Sequence, residues 1–166
     1  VVSVDVSDYV EQTVQNSMLT EGILAVVSTT APQKENLNLT DIYSHKLKTY
    51  GLSSADLYLN IEAIEALNQM MQGFKDEEGL TNVIVNNAYT ELNEIKSRKS
   101  IASLVDLASG RSVRLTVYPT EQGTMGTGKH AWFAENCYRF GYILRYPAEK
   151  TEKTGVEGNA TVFRYV

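Results

Sequence analysis

Trp132-Phe133-Ala134-Glu135-Asn136-Cys137-Tyr138-Arg139-Phe140-Gly141-Tyr142-Ile143-Leu144-Arg145-Tyr146-Pro147 carries the helix, stop and strand signals from which the fold is read. Phe133, Cys137 and Phe140 fall on one side at helical spacing, and Gly141 stands where a short helix would end. Trp132 and Phe140 are expected in the core, each costing about 3–5 kcal/mol if cut back to Ala. Tyr142 to Tyr146 reads as a strand, and a second one, Val162 to Val166, finishes the chain. Upstream, Val113, Leu115 and Val117 alternate with Arg114, Thr116 and Tyr118, giving a half-buried strand that stops at Pro119.

From Asn60 the residues Ile61, Ile64, Leu67, Met71 and Phe74 recur every three or four positions, so one face of a helix is apolar, and Gly79 closes it. Val83-Ile84-Val85 predicts a central strand, and Leu92, Ile95, Ile101 and Leu104 predict helical pieces after it. Gly22 to Val27 reads as a short buried strand, and the polar stretch from Pro32 to Gly51 as a loop or extended excursion. Helices and strands that alternate irregularly, with two closely spaced strands at the end, predict an α+β domain. Its central sheet should be mostly antiparallel with flanking helices, in a single domain over 1–166 whose residues 1–21 form an N-terminal arm.

The 166 residues are long enough to bury a core without metal or disulfide staples. Fifteen Lys and Arg against twenty Asp and Glu give a net charge of −5, and no stretch gathers a basic patch. A nucleic-acid partner or a lipid surface therefore lacks its electrostatic attraction, and proteins or small molecules are the expected partners. Cys137 is the only cysteine, which excludes an intrachain disulfide, a zinc ribbon and a CxxC redox pair. There is no run of 18 apolar residues, and the chain starts at Val1. It reads as a processed chain whose targeting segment, with any membrane anchor, has been removed.

Three local patterns invite chemistry. Gly123-Thr124-Met125-Gly126-Thr127-Gly128-Lys129 has the spacing of a phosphate-cradling loop, but His130 follows where a magnesium-holding hydroxyl is needed, so a connecting loop is expected. Asp41 and His45 are four residues apart, yet His45 and His130 are the only histidines, too few for a three-ligand centre, and both are expected on the surface. No Gly-x-Ser-x-Gly elbow is present, and the ten tyrosines read as packing bulk.

The stretch 132–147, with Thr154-Gly155 and the ending Phe163-Arg164-Tyr165-Val166, closely resembles the VanY-type D-alanyl-D-alanine carboxypeptidases. The likeness continues collinearly upstream: Gly22 to Val27 is similar to the family's early strand, Asn60 to Phe74 to its long helix, and Val83 to Thr90 to the strand and turn that carry its substrate-binding arginine. It implies a small zinc D,D-carboxypeptidase-like domain outside the cytoplasmic membrane of a bacterium, whose active relatives trim terminal D-alanine from peptidoglycan stem peptides.

In that family, zinc is held by the His and Asp of a Ser-x-His-x-x-Gly-x-Ala-x-Asp segment and by a second His in a Glu-Pro-Trp-His-Phe-Arg-Tyr-Val ending, whose Glu is the general base. Aligned on the shared ending, Asn159 stands at the base and Val162 at the second His. Upstream, Leu107 stands at the first His, Gly110 at the Gly, Ser112 at the Ala and Arg114 at the Asp. An amide cannot take a proton from water, an isopropyl group cannot bind zinc, and a guanidinium repels it. The family's Ser-Gly-Tyr-Arg-Ser turn reads Asn86-Asn87-Ala88-Tyr89-Thr90, with Tyr89 in place of the arginine that the resemblance assigns to the substrate carboxylate.

The expectation is a chain without catalytic residues and without the family's zinc. It would serve as an extracytoplasmic protein-interaction or scaffold module of the cell envelope, with another envelope protein as partner. The alternatives are a non-cleaving binder of stem peptides, with Tyr89, Arg111, Arg114 and Asn159 as cleft candidates, and a residual metallo-carboxypeptidase.

Overall fold

The structure, a computed structural model, describes residues 36–97 and 102–166. The strand read at Gly22 to Val27 and the arm at 1–21 lie outside the described residues. In chain order the elements are β1 (Leu39–Asp41), α1 (Ile42–His45), β2 (Gly51–Leu52), β3 (Tyr58–Asn60), α2 (Ile61–Glu78), β4 (Val83–Asn87), α3 (Leu92–Ser97) and a 3-10 segment (Ala102–Ser109). There follow β5 (Ser112–Val117), α4 (Trp132–Asn136) with a 3-10 turn (Cys137–Phe140), β6 (Tyr142–Tyr146), α5 (Thr151–Thr154) and β7 (Asn159–Tyr165). Five strands form the main sheet in the order β2-β4-β5-β7-β6, and β1 pairs with β3 in a small second sheet. Only β2 runs parallel to its neighbour in the main sheet, so the α+β reading with a mostly antiparallel sheet holds.

Asn60 starts α2 as the periodicity requires: its Oδ1 accepts from the amides of Glu62 at 3.0 Å and Ala63 at 3.3 Å. Its own side-chain amide donates to Leu37 O at 3.1 Å, which ties the helix start to β1's approach. Gly79 ends the helix in the left-handed region, φ 72°, with its N–H on Lys75 O. The apolar face of α2, including Ile64, Leu67, Met70, Met71 and Phe74, is buried against Val83, Val85, Val113, Leu115 and Phe163 on one face of the sheet. Phe133 of α4 closes this core, its ring 4.5 Å from that of Phe74. Tyr142 is fully buried here and donates its hydroxyl to Ala63 O at 2.7 Å; burial holds that phenol far above its ordinary pKa.

Four readings are corrected. The stretch from Pro32 to Gly51 was expected to be a loop or extended excursion, but its described part, from residue 36, also contains the short helix α1 after the extended β1. Asp41 caps α1 through Ser44 N at 2.8 Å, and β1 finds its ladder in β3, a pairing that no local pattern announces. His130, expected on the surface, is 3% exposed. Its Nε2 lies 3.0 Å from Asn82 Oδ1 and its ring packs on Phe74, so a partner from another element makes burial tolerable. Phe140, expected in the core, is half-buried, lying over Trp132 with the Arg139 guanidinium above its ring. The last strand begins at Asn159, three residues earlier than its apolar part suggests.

The Gly123–Lys129 stretch is a connecting loop. Lys129 Nζ turns to Glu78 at the end of α2, donating to its carbonyl at 2.8 Å and pairing with its carboxylate at 3.6 Å. His45 is exposed, as expected, with Nδ1 3.0 Å from Asp41 O.

Candidate functional site

Alternation along β5 decides which side chains face the helices and which face away. Val113, Leu115 and Val117 belong to the core under α2, so Ser112, Arg114 and Thr116 occupy the opposite face. Across the β5–β7 ladder Ser112 stands opposite Arg164 and Arg114 opposite Val162. Across the β4–β5 ladder Asn87 stands opposite Arg114, just after an irregularity between Val85 and Asn87. Val162 is buried yet belongs to neither apolar cluster, in keeping with a position on this second face.

The 3-10 segment lays Asp106 on the same face, where it is wholly buried. Asp106 Oδ1 accepts from Arg145 Nε at 2.9 Å and from Arg164 Nη1 at 3.0 Å, while Oδ2 accepts from Ser112 Oγ at 2.5 Å. Three strands are thereby joined to one carboxylate, β5 by Ser112, β6 by Arg145 and β7 by Arg164. The Arg145 guanidinium also lies 4.8 Å from the centre of the Tyr146 ring. Burial first, and then the nearby Asp106 charge, push the Tyr146 phenol up to about 12.

Asp106 and its two arginines were missed in the sequence. The one signal was an acid inside the apolar run Leu104-Val105-Asp106-Leu107-Ala108, which must have a partner if that run is buried. Nothing local names Arg145 and Arg164 as those partners, because they come from strands 39 and 58 residues away.

Arg114 and Val162 are brought side by side, with the Asn87–Tyr89 turn at the same end of the sheet. Tyr89 is half-buried; its N–H donates to Tyr58 O at 2.9 Å, and burial together with Glu91 raises its phenol. Leu107 packs in a small separate cluster with Ile95 and Ala108. Arg111 points to α2, its Nη1 3.8 Å from Glu62 Oε2, and so does not share the face of Arg114. Asn159 starts β7 opposite Tyr146, with its Oδ1 engaged by Thr161 N at 3.2 Å and Thr161 Oγ1 at 2.9 Å.

These side chains do not fit a zinc ion. At the positions that the resemblance assigns to ligands stand two hydrocarbons, Leu107 and Val162, and a cation, Arg114. The nearby carboxylate of Asp106 already has both oxygens engaged by three donors. Among the described residues no three of His, Cys, Asp and Glu converge.

No family model matches the chain. It is 25% identical over 169 residues to the D-alanyl-D-alanine carboxypeptidase of Enterococcus faecium, a similarity covering 94% of this chain and 55% of that relative. The chain therefore spans about half the length of the relative it matches. The solved structure of the LD-carboxypeptidase LdcB, described as revealing the basis of peptidoglycan recognition, superposes with a TM-score of 0.67 at 22% identity, covering 87% of this chain and 76% of that one. The vancomycin-resistance D,D-pentapeptidase VanY in complex with Zn(II) superposes with a TM-score of 0.60 at 21% identity, covering 87% and 88%. At such identities the two structures speak for the fold. Along nearly its whole length the chain is similar in sequence to a D-alanyl-D-alanine carboxypeptidase, and its fold is that of the LdcB and VanY carboxypeptidase structures.

Proposed function

We propose that this domain is a non-catalytic relative of the D-alanyl-D-alanine carboxypeptidases, retained in the bacterial cell envelope as a binding or scaffold module. The observation that carries the reading is the pairing of Arg114 with Val162 across β5 and β7. Where the resemblance calls for two zinc ligands, a fixed positive charge faces a hydrocarbon. A guanidinium stays protonated at any working pH, so it neither donates a lone pair to a metal nor accepts a proton from water. Asn159 is likewise unable to act as a base, and its carbonyl oxygen is occupied by Thr161.

The leading partner class is another envelope protein. A second reading, a peptide reader that does not cut, is favoured by one observation: Arg114 is half-buried on the site face and its guanidinium has no hydrogen bond or ion pair among the described residues. The test is to incubate the chain with a stem pentapeptide ending in D-Ala-D-Ala, with and without added zinc, and to follow free D-alanine by NMR. No release above the peptide-alone rate is expected. Zinc-dependent release of one alanine per peptide would refute the non-catalytic reading.

A further inference from the structure

Helix α2 turns a second stripe to the outside. Asn68, Gln69, Gln72, Gly73, Asp76 and Glu77 recur every four residues on the side away from the sheet, a run of about 13 Å along the axis. Leu47 stands on one flank of this stripe and Arg139 with Phe140 on the other, and between them lies a groove of about 440 Å³ that opens to solvent. Its floor is Gly73, where a Cβ would come 2.8 Å from Phe140 Cζ, so no side chain fills it. Hydrogen bonds hold the walls in place. Asn68 Oδ1 accepts from Leu47 N at 3.0 Å and from the Tyr50 hydroxyl at 2.9 Å, and Asn68 Nδ2 donates to His45 O at 2.9 Å, which fixes the backbone under the exposed Leu47 side chain. Opposite, both oxygens of Glu77 are engaged, one by the Trp132 indole N–H and one by Arg139, whose guanidinium lies over Phe140. Asp76 differs: Gln72 donates to its Oδ1 at 2.8 Å, but its carboxylate has no cation among the described residues.

We infer that this groove docks another protein through a segment that carries an apolar side chain and, further along the groove, a Lys or Arg. The inference rests on the scaffold reading and deepens it by assigning the surface and the chemistry of the partner. The apolar side chain lies over Gly73 between Leu47 and Phe140, whose exposed hydrocarbon is thereby removed from water. The cation meets Asp76, the lining acid without a counter-charge. Lys46, which donates to Leu47 O at 2.8 Å at the other end, repels it toward that acid. A net charge of −5 favours a cationic partner over a second copy, which would bring like charge against like. Walls that are fixed beforehand lose little freedom on binding. A small molecule is the poorer occupant, since an open groove covers only one side of it. The groove lies across α2 from the sheet, so a partner here leaves the Arg114–Val162 face uncovered.

The experiment titrates the isotope-labelled chain with an acetylated and amidated peptide of about three helical turns, with Leu along one face and Lys beside it. Saturable shifts are expected at the amides of 46–48, 68–77 and 138–140 and at the side-chain amides of Gln69 and Gln72. Asp76→Lys should weaken binding at least about ten-fold, and should bind the peptide with Glu in place of Lys more tightly than the wild type does. Leu47→Ser should weaken binding about five-fold. Asp76 and Leu47 are both exposed, so both variants should keep the wild-type thermal midpoint. Absence of saturable binding to the wild type would overturn the site, as would shifts scattered over the acidic surface or wild-type affinity in Asp76→Lys. Shifts of the same amides on diluting the free chain would overturn it in favour of a second copy. A parallel sample with zinc and the stem pentapeptide separates the two ideas. Alanine release there refutes the non-catalytic reading and leaves the groove result standing, whereas loss of groove binding without release removes only the docking site.

Discussion

Asp106 is wholly buried and satisfied by three donors, so its removal does more than delete hydrogen bonds. Asp106→Ala removes the carboxylate that Arg164, 4% exposed, and Arg145, about one-fifth exposed, share. The expected cost is about 3–5 kcal/mol, read as a lower urea midpoint at unchanged slope. Arg145→Ala should cost less, because its head is partly in water. His130 is the second residue with consequences of its own. Asn82 Nδ2 donates to Gln122 Oε1, so Asn82 Oδ1 is left to accept from His130 Nε2–H, and the unprotonated Nδ1 is packed against Gly123. Burial lowers the His130 pKa, and the neighbouring Glu78 opposes this only in part. The unfolded chain therefore takes up its proton at a higher pH than the native one. The stability that neutral His130 contributes is complete above the ordinary histidine value of about 6.5 and is lost as pH falls from there through the lower folded value. Thermal midpoints measured between pH 7.5 and 5.5 should fall for the wild type and fall less for His130→Gln; parallel curves would disprove the assignment.

Packing of α4 and its 3-10 continuation on α2 sets the energetics of the helical layer. Gly73 lets them meet closely: a Cβ there would lie 2.8 Å from Phe140 Cζ and 3.3 Å from Trp132 Cη2. Trp132 donates its indole N–H to Glu77 Oε2 at 2.7 Å, and Arg139 pairs with the same carboxylate at 2.8 Å. Phe140 covers this contact from outside, whereas Phe133 sits between Phe74 and Phe163 with no exposure. Phe133→Ala should cost about 3–5 kcal/mol, as expected for a filled core position. Phe140→Ala should cost roughly 1–2 kcal/mol, since part of its ring is already in water. Comparing both variants by urea denaturation checks the ranking; an equal loss would mean that Phe140 is as deeply packed as Phe133.

Among the described residues an apolar layer covers one face of the sheet and an ion cluster the other. On the proposed zinc-free reading, adding EDTA or zinc should leave the thermal midpoint unchanged to within about 1 °C, because a species that does not bind the native state cannot stabilise it. A chelator-induced drop of several degrees would show that the native chain holds a metal. Among the described residues no helix is long and apolar enough to cross a membrane.

Helix α2, strand β5 and the stop at Gly141 were legible in the sequence because each is governed by local physics. A 3.6-residue apolar period, a two-residue alternation and a glycine in the left-handed region each specify their element without knowledge of the rest. The identities at Leu107, Arg114, Asn159 and Val162 were equally plain, since what a side chain can donate or accept is fixed by its type. Tertiary structure alone decided the rest. It set Arg114 against Val162, turned Arg111 away to Glu62, and gathered Arg145 and Arg164 onto Asp106. It also buried His130 beside Asn82 and paired β1 with β3. All of these depend on strand register and on contacts between segments far apart in the chain, where an apolar or charged pattern says that a partner is needed and only the fold supplies which one.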